Sequence, residues 1–377
     1  MSNAAGPSLF QRFLLPGLAF KAVVIGGGYA TGRELAEFFF PAGPAGGLLG
    51  LLLAMGVWSL VCAVTFLFAR ATRSDDYRVF FRHLLGPFWP AFEFAYVCFL
   101  FLILSVFGAA AGEIGTAVFG LPLWAGSVFL AAGILFFAAL GTDTIERLFK
   151  YASIFLYSVY VIFVAMSFSQ FGGDIIDTLN GAAINGAWFS GGLTYAGYNI
   201  VGAVIILPIL RHLTSNRDAV TAGLLAGPLA MLPAILFFLC MLAFYPQIGG
   251  EALPSNYILE RLGSPVFQIA FQFMIFVALL ETSVSAVHAV NERIDGVTRR
   301  PLGHGARLAI AAVIVVFAMF LAQRFGLIDL IAKGYRALAY MILLTYVLPL
   351  LTLGVWKLRA WSKRGKAASP AQDSAKS

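Results

Sequence analysis

The sequence predicts an all-α integral membrane protein that crosses the bilayer ten times. Of its 377 residues, 60% are hydrophobic and only 11% are charged, whereas about 25% are charged in a typical soluble domain. A transmembrane helix takes roughly 20 apolar residues, so the chain can supply about ten of them. These proportions exclude a soluble globule, a disordered chain and a nucleic-acid-binding protein. The net charge of +7 is therefore interpreted as membrane topology.

Ten apolar stretches can be separated along the chain. Each is long enough to cross about 30 Å of hydrocarbon as a helix. Alternating segments of about ten residues, which are typical of membrane barrels, are absent from the sequence. The predicted spans cover residues 14–40, 45–69, 88–119, 122–141, 149–170, 187–210, 218–245, 265–291, 305–324 and 327–356.

The distribution of basic residues predicts the orientation of these spans. An even number of spans places both termini on one side of the membrane. Most Lys and Arg residues fall on that side, and basic loops remain in the cytoplasm. Both termini are therefore expected to be cytoplasmic. The exceptions, on or near the other side, are Arg33, Arg261, Arg324, Lys333 and Arg336.

Two glycine-rich interruptions suggest that the chain contains an internal repeat. Span one contains Gly26-Gly27-Gly28-Tyr29-Ala30-Thr31-Gly32, and span six contains Gly191-Gly192-Leu193-Thr194-Tyr195-Ala196-Gly197-Tyr198-Asn199. Tyr29 and Tyr195 are 166 positions apart, and Glu113 and Glu281 are 168 apart. An offset of five spans reverses orientation, so the halves are predicted to be inverted repeats. Glycine-interrupted spans at matching positions of two halves point to a transporter binding site. The alternative is that these glycines only permit close helix packing.

The repeat divides the chain into four predicted parts. They are a cytoplasmic N-terminus (1–13), a first five-helix repeat (14–170), a second five-helix repeat (171–356), and a disordered basic cytoplasmic tail (357–377).

The first interruption resembles the signature of a known family. The run from Gly26 to Phe39, GGGYATGRELAEFF, looks like that of the YkvI-like bacterial membrane proteins, whose pattern is close to GAGFASGQE. Five positions match it and four depart: Gly26, Gly28, Ala30, Gly32 and Glu34, against Gly27, Tyr29, Thr31 and Arg33. That family is similar to the amino acid–polyamine–organocation superfamily. The resemblance implies a 5+5 inverted repeat of the LeuT type with helices 1 and 6 broken, in a bacterial cytoplasmic membrane, and it names no solute.

Broken helices predict a substrate site at the middle of the membrane. Backbone groups freed there must line a cavity, because lipid cannot satisfy them. The amides near Thr31 suit a carboxylate, whereas carbonyls near Gly26 and in the segment 194–198 suit an ammonium group. A zwitterion such as an amino acid fits both, and the carbonyls alone would equally suit an amine. The predicted substrate-binding residues are Gly26, Gly28, Tyr29, Thr31, Gly32, Thr194, Tyr195, Tyr198, Asn199 and Glu113.

Span eight carries the strongest candidate for ion coupling. A carboxylate such as Glu281 costs at least about 2.5–3.5 kcal/mol at the bilayer centre and is functional by default. It can carry a coupling proton or pair with Lys21. Thr282 and Ser283 also resemble the adjacent hydroxyls that complete a sodium site in LeuT-type symporters, opposite the carbonyl of Gly26. The predicted ion-coupling residues are Glu281, Thr282, Ser283, Ser285, Glu34 and Lys21.

Glu34 has a structural interpretation besides a role at the site. Thr31-Gly32-Arg33-Glu34 fits a capping box, in which the Thr31 hydroxyl accepts from the amide of Glu34 and the carboxylate reaches back.

The predicted function is ion-coupled secondary transport, by sodium or protons, of a small amino-acid-like or amine solute. No P-loop sequence is present to bind a nucleotide. The expected partners are the solute and the lipid bilayer, with no cofactor beyond the coupling ion and no nucleic acid. Two alternatives remain open: a non-transporting receptor or scaffold with a relic of the fold, and a membrane-embedded enzyme that modifies lipids with Glu113 and Glu281 as an acid–base pair. Short loops argue against the enzyme.

Overall fold

A computed structural model describes residues 7–140, 142–181, 184–295 and 303–368. Within these ranges the chain is almost entirely helical and contains no strand. The first helices are α1 (Leu15–Val24), α2 (Gly27–Ala30), α3 (Arg33–Phe39), α4 (Gly43–Thr72), α5 (Tyr77–Leu85), α6 (Trp89–Phe119), α7 (Leu123–Leu140) and α8 (Thr142–Asn180). The others are α9 (Trp188–Asn199), α10 (Gly202–Ile205), α11 (Asn216–Leu242), α12 (Pro254–Leu262), α13 (Pro265–Asp295), α14 (His304–Asp329), α15 (Arg336–Ile342) and α16 (Val355–Ala368).

Six stretches of the described chain are long and apolar enough to cross a membrane. Some of them join two of the predicted spans, because a helix continues through the bend between them. His304–Trp361 is one such stretch, and the left-handed φ of +73° at Gly326 separates its two parts. The six stretches are Arg33–Thr72, Tyr77–Phe119, Ile154–Asn180, Asn216–Leu242, Pro265–Asn291 and His304–Trp361.

The first span is interrupted where the glycine cluster predicted it. Helix α1 ends at Val24, and Ile25 leaves the helical region with a ψ of 76°. Helix α2 is a single turn of four residues. Gly32 then reverses the chain with a φ of +79° before α3 begins, a conformation that only glycine adopts without strain. The prediction of a broken first helix is confirmed.

The sixth span differs from the prediction. Helix α9 is continuous through the whole glycine-rich run, and the irregular turn lies after it, at Ile200 and Val201. The glycines serve close packing instead: a Cβ on Gly191 would overlap the carbonyl oxygen of Phe38, and one on Gly192 would meet that of Gly50. The carbonyls of residues 194–196 therefore lie within the helix, whereas those of Gly197 and Tyr198 belong to its last turn, where helix carbonyls have no partner in the same helix.

Packing of the helices sets the position of the site. Helix α4 packs along α11 and α9, and α6 packs against α7 and α14. Helix α1 lies on α11, and just before α1 two of the three guanidinium nitrogens of Arg12 donate to the carboxylate of Asp218 at 2.8 and 2.9 Å. The Ser215 hydroxyl and the same carboxylate form a capping box at the start of α11. The broken first span is thereby enclosed by α6, α9 and α13.

The end of the chain also departs from expectation. Helix α16 runs through Val355–Ala368, so the segment predicted as a disordered tail begins as a helix. The remainder of that prediction, residues 369–377, lies outside the described residues.

Candidate functional site

A small cavity lies where the first span breaks. Its volume is ≈ 30 Å³, room for about two water molecules by the same measure. The broken first span contributes its backbone at Gly26 and its side chains at Tyr29 and Glu34 to the wall. Helices α6, α9 and α13 contribute the facing residues. The residues that line it include Gly26, Tyr29, Glu34, Phe99, Phe107, Tyr198, Asn199, Thr282 and Tyr335.

Glu34 and two tyrosines form the polar wall of this cavity. The Tyr198 hydroxyl donates to the Glu34 carboxylate at 2.5 Å. The Tyr198 ring stacks on the Tyr335 ring, with centroids 4.4 Å apart and planes 25° from parallel. All three side chains are buried. Tyr335 reaches the site because a π-helical turn, Leu330–Tyr335, precedes α15.

A larger cavity continues from the small one. Its volume is ≈ 260 Å³, and the two share Gly26, Phe99 and Thr282 in their walls. Glu281 lines this second cavity, and its carboxylate has no hydrogen bond or ion pair within the described part of the chain. The Ser285 hydroxyl is committed to its own helix, since it donates to the Glu281 carbonyl at 3.0 Å.

A third cavity leads from the second to the protein surface. It has a volume of ≈ 330 Å³ and shares Tyr96 and Ile205 with the second. Asp75 and Asp76, which line it, are exposed. Arg293 lies at its side, with the guanidinium carbon 3.8 Å from the centroid of the Tyr96 ring. The three cavities share wall residues in series and so mark out a path from the exposed Asp76 end of the bundle to the break in the first span.

The opposite end of the bundle is closed by Arg33. This side chain is only 4% exposed, and one of its terminal nitrogens donates to the carbonyls of Gly249 and Glu251 at 2.8 and 2.9 Å. The other terminal nitrogen pairs with Glu37 at 2.9 Å. Arg33 thus ties α3 to the loop after α11, above the small cavity.

Of the two hydroxyls predicted for a sodium site, Thr282 lies beside the break, whereas Ser283 is buried on α13 and lines neither of the first two cavities. The Thr282 hydroxyl lies 3.5 Å from the point that a Cβ on Gly26 would occupy, and it donates to the Ala278 carbonyl at 2.9 Å. Ser283 is fully buried, and its hydroxyl has no partner within the described ranges. A buried hydroxyl without a partner is costly, and a bound cation would satisfy it.

Some of the predicted substrate residues meet at the small cavity. Gly26, Tyr29, Tyr198 and Asn199 line it, and Glu34, predicted for ion coupling, joins them. The surroundings of Gly28 lie outside the described part of the chain.

Other predicted residues lie away from the cavities. Thr31 and Gly32 belong to the closed end: the Thr31 carbonyl accepts from the amide of Ser255 at 3.0 Å. Tyr195 packs behind Tyr198, with ring centroids 5.8 Å apart, and Thr194 is buried without lining a cavity.

Glu113, which the sequence predicts at the substrate site, lies away from the small cavity. It lies six residues beyond Phe107, which is about 9 Å farther along α6 and on another face. Its neighbours Gly112 and Gly115 pack closely against α7, and Glu113 lines none of the three cavities. The offset that relates it to Glu281 therefore does not bring the two carboxyls to one site.

Two predicted contacts, the capping box of Thr31 with Glu34 and the pair of Lys21 with Glu281, are absent among the described residues. The Thr31 hydroxyl accepts from the amide of Arg33 at 3.2 Å, and Glu34 binds Tyr198, so no capping box forms. Lys21 lies over the Tyr157 ring at 4.2 Å instead of pairing with Glu281. It lines a further, apolar cavity beside the first span, which shares Gly26 and Tyr29 with the small cavity.

Sequence reasoning missed the aromatic part of the site. Phe99, Phe107 and Tyr335 line the small cavity, but in the sequence they stand among many other aromatic residues of apolar spans. The Lys-Gly-Tyr run at 333–335 was a usable signal, since charge and glycine within an apolar stretch are typical of an irregular helix.

The fold of this chain is similar to that of several solved structures. The chain superposes on the structure of MhsT in complex with L-phenylalanine with a TM-score of 0.63 at 16% sequence identity, over 95% of this chain and 99% of that one. A variant of the manganese transporter of Eremococcus coleocola gives a TM-score of 0.54 at 14% identity, over 93% of this chain and 81% of that one.

The chain has the LeuT-type fold. At these identities the likeness shows the fold alone. No protein-family model and no curated protein matches the sequence, so its resemblance to the YkvI-like family stays a prediction.

Proposed function

We propose that this protein is a secondary active transporter of a small amine or amino-acid-like solute, coupled to sodium or protons. In this proposal the chain crosses a bacterial cytoplasmic membrane ten times, as a 5+5 inverted repeat of the YkvI-like family with both termini inside. The structure neighbours with a TM-score above 0.5 include one solved with L-phenylalanine and one named a manganese transporter.

The observation that carries the proposal is the different character of the two ends of the bundle in the described part of the chain. Adjoining cavities extend from the break in the first span to the exposed Asp76 end, while Arg33 and its partners close the other end. A carrier must alternate between such states around a fixed site. With Asp76 on the cytoplasmic side, the structure corresponds to an inward-open state.

Two groups are proposed for ion coupling. Sodium would be held by the Gly26 carbonyl and the hydroxyls of Thr282 and Ser283, and the Ser283 hydroxyl is buried without a partner among the described residues. A coupling proton would instead be held on Glu281, which lines the second cavity. The bound ion supplies charge stabilisation to the broken helix, and its gradient supplies the driving force.

Transport is tested with the full chain in liposomes. Uptake of labelled amines and amino acids is measured under an inward sodium gradient, an inward proton gradient, and neither. Ser283→Ala is expected to abolish dependence on sodium, or Glu281→Gln dependence on protons. Ser158→Ala is the control, because that hydroxyl lies on an exposed face and donates to its own helix.

The result can also favour the receptor. Ligand binding by the purified protein without accumulation under either gradient would contradict the transporter. Unchanged ion dependence in both variants would contradict the proposed coupling groups and leave transport itself intact.

A further inference from the structure

The small cavity has an acidic and aromatic wall. Glu34 supplies a carboxylate that is 5% exposed, and its one hydrogen-bond partner within the described chain is the neutral hydroxyl of Tyr198. The adjacent guanidinium of Arg33 is committed to Glu37 and to two loop carbonyls. No basic side chain lines this cavity or the second one in the described part of the chain.

Aromatic rings complete the wall. Tyr29, Phe99, Phe107, Tyr198 and Tyr335 all line the small cavity. Aromatic rings attract cations through their quadrupole, and rings combined with a carboxylate are the usual means of binding organic ammonium groups. The wall is therefore suited to a cation.

The same wall is unsuited to a carboxylate. The amino-terminal end of α3, the second half of the broken helix, would be the natural place for a substrate carboxylate. However, α3 has only seven residues, and its first turn already carries Glu34. A substrate carboxylate there would approach a carboxylate of the protein, and like charges at short range repel strongly where water is excluded. An amino acid carries a carboxylate as well as an ammonium group, so its binding would include this repulsion from Glu34.

We propose that the small cavity binds small organic amines that carry no carboxylate, with the ammonium group at Glu34 and the remainder of the molecule in the second cavity. The inference rests on the proposed transport function, because it takes the small cavity as the substrate site. The small cavity holds only a head group. The second cavity, which is largely apolar apart from Glu281 and a few hydroxyls, accommodates an alkyl or aryl chain, or a second ammonium group.

The test compares ligands that differ only in the carboxylate. Binding to the full-length protein in nanodiscs is measured by calorimetry for phenethylamine and L-phenylalanine, isopentylamine and L-leucine, and cadaverine and L-lysine. We expect at least one amine to bind, at least tenfold more tightly than its amino acid. Equal or tighter binding of the amino acid, or no binding by any amine, would overturn the inference.

Variants locate the effect at Glu34. Glu34→Gln is expected to weaken amine binding at least tenfold, whereas Glu34→Asp keeps the charge and the preference for amines. Glu113→Gln is the matched control, because that carboxyl lies outside the cavities. An unchanged amine affinity in a folded Glu34→Gln protein would overturn the assignment. If that variant does not fold, the comparison of ligands on the wild-type protein decides.

Liposome uptake separates this inference from the proposed function. Amine binding without uptake under any gradient contradicts the transporter and leaves the ligand class intact. Uptake of amino acids in preference to their amines contradicts the ligand class and leaves the transporter intact.

Discussion

At the residue scale, Gly32 shows how one backbone conformation supports the site. Its φ is +79°, and a Cβ there would lie 3.0 Å from a side-chain atom of Pro254 and 3.1 Å from one of Phe237. Both the turn and the close approach of α11 and α12 therefore require glycine, and this turn precedes Glu34, which binds Tyr198.

We expect Gly32→Ala to destabilise the protein more than Gly120→Ala does. Both positions have a left-handed φ, which costs about 1–2 kcal/mol for alanine. Gly120 has nothing within 4 Å of the added Cβ, whereas Gly32 adds overpacking of about 1–3 kcal/mol. Thermal unfolding of both variants in the same detergent measures the difference. An equal loss of stability in the two variants would show that α11 and α12 move aside without cost.

Ser283 permits a test of the sodium site by stability alone. Its buried hydroxyl has no partner among the residues that the structure describes, so Ser283→Ala in sodium-free buffer is expected to stabilise the protein, by up to about 1–3 kcal/mol. Sodium should then stabilise the wild type but not the variant, because only the wild type retains the full set of oxygen ligands. Unfolding temperatures in sodium and in choline buffer check both statements. An equal sodium effect in both proteins would exclude Ser283 as a ligand.

At the element scale, glycines at similar spacing have different roles in the two spans. In the first span they permit a break and a left-handed turn. In α9 they permit a straight helix to approach α3 and α4, as the positions of Phe38 and Gly50 show. The sequence pattern is shared, so it could not separate unwinding from close packing. The neighbouring helices decide between them.

Gly191→Ala is expected to destabilise the protein by about 1–3 kcal/mol or more, because its Cβ would overlap a backbone carbonyl that cannot rotate away. Gly173→Ala in α8 is the matched control. Nothing lies within 4 Å of its Cβ, and alanine favours a helix interior by up to about 1 kcal/mol, so this variant should be slightly more stable. Denaturation of both variants gives the comparison, and a neutral Gly191→Ala would contradict the packing role of α9.

At the scale of the whole molecule, closure of one end and access at the other are separate properties. Arg33 links α3 to a loop more than 200 residues away in sequence, while the path from Asp76 passes between α6, α10 and α13. Movement between the two states must therefore break the Arg33 contacts at one end and close the path at the other.

Accessibility of Ser285→Cys tests this arrangement. In a background without Cys62, Cys98 and Cys240, a membrane-impermeant thiol reagent should label the new cysteine from the Asp76 side. Arg33→Gln should increase labelling from the opposite side, because it removes the contacts that close that end. Arg324→Gln is the control, since that exposed side chain has no ion pair in the described chain. Equal labelling in the Arg33 and Arg324 variants would contradict the closing role of Arg33.

The sequence by itself determined the helical class and the broken first span, and it singled out Glu34 and Glu281 as candidates, since apolar length, glycine clusters and isolated charges are local signals. Only the tertiary structure decided which residues share a cavity. It brought Tyr335 and Phe107 to Glu34 and kept Glu113 apart, because a helix's rotation and depth depend on its neighbours. It also assigned the partners of Glu34 and Lys21. Partners chosen among several groups within reach are fixed by packing, which local sequence does not encode.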